Sequence, residues 1–146
     1  MVKVLPHVMR NINEFNIPAE NSHGYEILYF GVNLILMFDY RLSFDIEVKS
    51  SGTYDDKIDV LIITRKDIPA WKSSNDNIHN IKLHYSNNGH RINDIFKPPV
   101  SDAYAFILSN RSSSSINNNN SKTKTVEVTL THTWQQEIKE SQLKNR

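Results

Sequence analysis

The sequence predicts an all-β fold: one antiparallel β-sandwich of about seven or eight strands over residues 1–146, with a short C-terminal helical tail. Three observations carry this expectation. Several runs alternate apolar and polar residues with period two, which gives a strand one buried face. Turn-forming clusters separate those runs, and no βαβ alternation of the kind a parallel sheet needs is present. A chain of 146 residues buries roughly 68–70% of its unfolded surface, so its core needs no covalent staple.

In chain order, "MVKVLPHVMRNINEF" has no apolar stretch of signal-peptide length, and the core is expected to begin near residue 14. After the turn "PAENSHG", the run "YEILYFGV" at 25–32 reads as a strand. The strongest signal is 34–49. Leu34, Leu36, Phe38, Tyr40, Leu42, Phe44, Ile46 and Val48 occupy the even positions, and the odd positions from Asp39 onward are polar or charged. That run is long for one strand, so a bend or bulge is expected between Asp39 and Arg41. "SSGTYDD" at 50–56 is turn chemistry. "KIDVLIIT" at 57–64 is a strand whose two faces are both apolar. The loop 65–80 holds a short helical turn near Pro69, 81–85 is a weaker strand, and "SNNGH" and "KPP" mark turn and loop.

The strand "DAYAFILSN" then leads into "SNRSSSSINNNNSKTK" at 109–124, and "KTVEVTLTHTW" follows. Only about 22 residues remain after that tract, too few to fold alone. Residues 110–123 are therefore a Ser/Asn-rich loop of one sandwich whose core spans about 14–134, tolerable because loop-closure entropy grows slowly with length. Residues 135–146 form a polar tail: Trp134 and Ile138 lie one helical turn apart, while Leu143 falls off that stripe.

Composition narrows the function. The formal net charge is +1, hydrophobic residues make up 38% and charged residues 23%. That is a globular balance without the basic stripe nucleic acid requires. The absence of cysteine excludes disulfides, thiolate catalysis and cysteine-ligated zinc. The longest apolar run, "LILMF", is far short of a membrane helix, so a cytoplasmic location is the default expectation.

Motifs for chemistry are missing. Gly24, Gly31, Gly52 and Gly89 are isolated, and no nucleophile elbow or zinc-protease pattern occurs. No catalytic residue and no cofactor is expected. His79, His84 and His90 match no metal-ligand spacing. Asp55, Asp56 and Asp59 cluster beside a turn and offer a calcium alternative to their plainer reading as a charged hairpin end. Trp71, Tyr54 and Tyr85 are candidate binding residues, as a sugar-stacking platform or as packing. A second apolar face, Ile35, Met37, Leu61, Ile63 and Ile107, stands opposite the main core phase. It is either covered by the N-terminal segment, the loop 65–80 or the tail, or bare and open to a partner. "NRS" at 110 and "NNS" at 119 fit glycosylation acceptors, but no leader accompanies them.

The order Ile58-Asp59-Val60, then Trp71, then Tyr104 to Asn110, then Thr125 to Leu130 resembles the Golgi-dynamics (GOLD) type of β-sandwich over roughly 14–133. The resemblance implies a protein-interaction module without catalytic residues. Cysteine pair, membrane helix and sustained coiled coil, found in the trafficking receptors of that family, are missing here. The expected function is a non-catalytic interaction module that binds a protein partner through a strand edge or loop end. The alternative is a carbohydrate-binding module using exposed aromatics near Trp71.

Overall fold

A computed structural model describes residues 2–19, 24–49, 56–73, 81–111 and 123–139. The strands are β1 (Val2–Ile17), β2 (Tyr25–Val32), β3 (Phe38–Val48), β4 (Ile58–Thr64), β5 (Tyr85–Gly89), β6 (Arg91–Phe96), β7 (Asp102–Ser109) and β8 (Lys124–Lys139). A 3-10 turn (Arg65–Asp67) and a helix α1 (Ile68–Ser73) separate β4 from β5. One sheet has the order β1-β8-β3-β6 and the other β2-β7-β4-β5, and every ladder is antiparallel. The first strand pairs the last, the second the seventh, the third the sixth and the fourth the fifth. A long hairpin rolled over on itself in this way is an eight-stranded jelly roll, a β-sandwich.

The core lies between the sheets. Leu42, Phe44 and Ile46 of β3 and Val126, Val128 and Leu130 of β8 meet Ile58, Val60 and Ile62 of β4 and Tyr104, Phe106 and Leu108 of β7. From Tyr40 to Val48 the even residues of β3 are buried and the odd ones are not, as the period-two pattern requires. The bulge falls where the long run demands it: the β3·β8 register shifts between Phe38 and Arg41. Asp39 there adopts φ 52°, the left-handed region that few non-glycine residues enter.

Leu34 and Leu36 do not extend that strand. The Asn33 side-chain oxygen accepts the Ile35 N–H at 3.0 Å, and its carbonyl accepts the Met37 N–H at 2.7 Å. An Asx turn of this type bends the backbone away from the ladder. Ile35 is left exposed and Met37 packs against the main core.

The second apolar face is therefore corrected as a partner site. Leu61, Ile63 and Ile107 are buried with Ile68 and Trp71 of α1 and with Ile81. The cover is α1 with Ile81, while Ile35 and Met37 belong elsewhere. The expected helical tail is corrected too, because 135–139 continue β8, held by β1 along its whole length. Residues 140–146 lie outside the described residues. β1 itself begins earlier than residue 14, at Val2, but the residues it gives to the core are Phe15 and Ile17. "SNNGH" supplies most of β5, which pairs with β4 from Gly89 opposite Ile58 to Tyr85 opposite Ile62. β7, before the Ser/Asn tract, and β8, after it, lie in different sheets and do not form a hairpin. Its residues 112–122 lie outside the described residues.

Candidate functional site

The residues singled out in the sequence do not form a common site. Trp71 is 3% exposed. The Tyr25 ring meets it edge-on at 5.0 Å, and the Arg111 guanidinium lies 4.5 Å from its ring centre. A ring covered in this way offers no stacking platform, which removes the expected sugar contact at Trp71. Tyr85 packs edge-on against Phe44, and its hydroxyl donates to Asp94 at 2.9 Å, so its ring serves the interior. Tyr54 and Asp55 lie outside the described residues. Asp59 accepts a 2.6 Å hydrogen bond from the Asn88 side chain, and Asp56 is buried. Among the described residues no three His, Cys, Asp or Glu side chains are placed to hold a metal ion.

The feature that stands out instead is β1. It is one of the two edge strands of its sheet, the other being β6, and among the described residues it pairs only with β8, over 16 residues. Four of the nine exposed large hydrophobic residues described lie on it: Val4, Val8, Met9 and Ile12, each 50–69% exposed. Val4, Val8 and Ile12 share the outer face of the sheet, next to Glu137, Thr133 and Thr129 of β8. An edge strand this long and this apolar presents a row of backbone donors and acceptors to any strand that can pair with it.

The free edge has a defined phase. The Lys49 N–H donates to the Thr125 carbonyl at 2.8 Å, so Thr125 turns its backbone groups toward β3. Its β1 partner Asn16 therefore turns its own away from β8, and so do all even residues of β1. Pro6 agrees with this phase: a proline lacks the N–H and fits an edge strand with its nitrogen toward solvent. Val4, Val8, Arg10, Ile12 and Glu14 thus offer their backbone groups to the outside.

Beside this edge runs an open groove of ≈ 290 Å³, with Pro6 and Val8 on one side, Asp39 and Arg41 on the other, and Thr133 and Gln135 between them. The αL bulge places Asp39 on its rim. Arg41 reaches back to Asp39 at 3.3 Å. On the inner face a ring ladder buttresses β1. His7 stacks on Trp134 at 5.3 Å, and Trp134 on Tyr40 at 6.2 Å. The Tyr40 hydroxyl is hydrogen-bonded to His132 Nδ1. Burial holds the Tyr40 phenol above its ordinary range and pushes the His132 imidazole below its own. The imidazole is therefore neutral at pH 7 and the phenol keeps its proton.

Nothing in the sequence pattern separates β1 from a loop. Its apolar residues fall on both faces, Val4, Val8 and Ile12 on one and Leu5, Met9, Phe15 and Ile17 on the other, and Pro6 interrupts it. The signal available was the spacing of four between Val4, Val8 and Ile12, which keeps three apolar residues on one face of a strand.

No family model matches the chain, and no curated protein does. Solved structures do share its fold. A chain from Bacillus endospore appendages, which form disulfide-linked pili, superposes with a TM-score of 0.52 at 7% identity, covering 90% of this chain and 89% of that one. The decameric BFDV capsid protein superposes with a TM-score of 0.53 at 11% identity, covering 92% of this chain and 99% of that one. At such identities the likeness is one of fold. Among the described residues no helix is long and apolar enough to cross a membrane.

Proposed function

We propose that this chain is a non-catalytic interaction module that takes a protein partner along the free edge of β1 by strand addition. The observation that carries the reading is an open 16-residue edge strand with Val4, Val8, Met9 and Ile12 all more than half out of contact with the fold or close to it. Strand addition draws its affinity from main-chain hydrogen bonds and its selectivity from alternate side chains, and β1 offers both. The resemblance to the GOLD type of sandwich supports a binding role. The two similar solved chains, described as part of a pilus and of a decamer, share the fold alone. The disulfide route named for the pilus is closed here, because this sequence has no cysteine.

The test uses the phase of the edge. Ile12→Pro removes an N–H that faces outward and leaves the β1·β8 ladder intact, as Pro6 already does. The expected result is an unchanged urea midpoint and loss of partner capture from the native source by the immobilised chain. Capture that persists at full strength in Ile12→Pro would show that the partner binds elsewhere.

A further inference from the structure

We infer that the partner on this edge is a second copy of the chain, laid antiparallel along β1 about a two-fold axis through Val8. The inference rests on the strand-addition reading and names its occupant.

Backbone phase restricts how two β1 strands can meet. In an antiparallel pair, the residues that exchange hydrogen bonds must both turn their backbone groups to the partner. On β1 these are the even residues, so an even residue must face an even residue, and only some registers are allowed.

The side chains select among them. Val4, Val8 and Ile12 are evenly spaced, with Val8 in the middle. An axis on Val8 sets Val8 against Val8 and Val4 against Ile12 of the second copy, and the reverse, so the two outward stripes become one continuous apolar band. An isologous contact must be self-complementary in this way. On the inner face the same register sets Met9 opposite His7 of the second copy, whose ring rests on Trp134, a pairing that favours thioether on aromatic.

No like charges stand directly opposite in this register. Lys3 meets Asn13, and Arg10 meets Pro6 on the rim of the groove, where the Gln135 amide oxygen is an acceptor and the Asp39 carboxylate is already held by Arg41. Other registers are worse. An axis on Arg10 puts two guanidiniums face to face, and like charges directly opposite are destabilising. An axis on Met9 sets Val8 against Arg10 and Ile12 against Pro6, which breaks the apolar band. In the Val8 register Pro6 lacks the N–H that the Arg10 carbonyl of the second copy would accept, so the new ladder lacks one bond on each side of Val8 and rests on the remaining even residues.

The absence of cysteine in the sequence makes the test clean. In the proposed register, two Val8→Cys residues have Cα atoms about 5.5 Å apart, within the span of a disulfide. Two Ile12→Cys residues lie eight positions apart, roughly 27 Å along the strand, and do not meet. The expected results are three. Sedimentation of the full chain gives a dimer. Mild oxidation cross-links Val8→Cys but neither Ile12→Cys nor Met9→Cys. Val8→Asp weakens dimerisation on the order of tenfold to a hundredfold, with an unchanged urea midpoint.

A wild-type chain that stays monomeric at several hundred micromolar overturns the inference, and so does cross-linking through Met9→Cys in place of Val8→Cys. If the wild type is monomeric but Ile12→Pro still abolishes capture of a different protein, the second-copy inference falls and strand addition stands. If a dimer survives both Ile12→Pro and Val8→Asp, both readings fall.

Discussion

The outer faces of the two sheets solve the same problem differently. On the β2 sheet, Leu61, Ile63, Ala105 and Ile107 point outward, and the chain itself covers them with Ile68, Trp71 and Ile81. On the β1 sheet, the outward residues of β3 and β8 are polar. Ser43, Asp45 and Glu47 stand beside Thr131, Thr129 and Glu127, and Lys49 with Glu127 and Arg91 with Asp45 form surface ion pairs at 2.9 and 3.2 Å. Such exposed pairs add little stability; they keep that face wet. The exceptions are at the edges: Ile95 of β6 beside Ser43, and the stripe of Val4, Val8 and Ile12 on β1 beside Glu137, Thr133 and Thr129, with no cover among the described residues. Where the protein buries an outward apolar stripe, it spends α1 on it. Where it leaves one open, that stripe lies at an edge capable of pairing.

The contrast breaks most sharply at Trp71. Trp71→Ala should cost about 3–5 kcal/mol in urea unfolding, because it opens a cavity under α1 and strips the cover from Leu61 and Ile107. A loss below about 1 kcal/mol would mean that α1 is an ornament and that the two outer faces are equally open.

The groove side of the contrast is tested at Asp39. With φ 52°, a glycine there is unstrained and an alanine is not. Asp39→Gly should be more stable than Asp39→Ala by about 1 kcal/mol in urea unfolding. Both variants remove the carboxylate, so the difference isolates the backbone. Equal stabilities would place the bulge outside the left-handed region.

A gentler probe lies behind β1, at His132. Burial lowers its folded pKa below the ordinary 6.5, so the unfolded chain binds more protons. Its contribution is full above about pH 6.5 and is lost as the pH falls toward the depressed value, with a slope no steeper than about 1.4 kcal/mol per pH unit. His132→Phe should flatten stability against pH between about 7 and 5. His84, lowered by burial first and by Lys82 second, still acts with the same sign in that variant. Identical pH slopes in chemical denaturation of wild type and variant would remove His132 from the account.

The sandwich was legible where one face of a strand is wet. β3 shows this from Tyr40 to Val48, and β8 from Val126 to Leu130, where buried residues alternate with half-buried ones. The bulge was legible because an unbroken run from 34 to 48 exceeds a strand. The turn at Leu34 to Leu36 was not, since its leucines fall by chance in the phase of β3 while Asn33 bends the chain. β5 was hidden for the opposite reason: Ser86, Asn87 and Asn88 are turn residues by composition, drawn into a ladder by β4. The candidate site was hidden most completely. An edge strand exposed on both faces has no burial period to reveal it, and Trp71, the most conspicuous aromatic residue, proved to be interior.

The nested pairing has a consequence for how the fold is reached. Among the described residues β1 has a single ladder partner, β8. The two meet across contacts such as Asn16 with Thr125, 109 positions apart in the chain. Until residues 124–139 are in place, β1 is an unattached ribbon and its sheet holds only β3 against β6. Contacts so distant in sequence make for slow folding compared with helical proteins. During that interval β1 lacks its partner on one side as well as on the other, so a growing or refolding chain exposes two pairing edges on one strand where the finished protein exposes one.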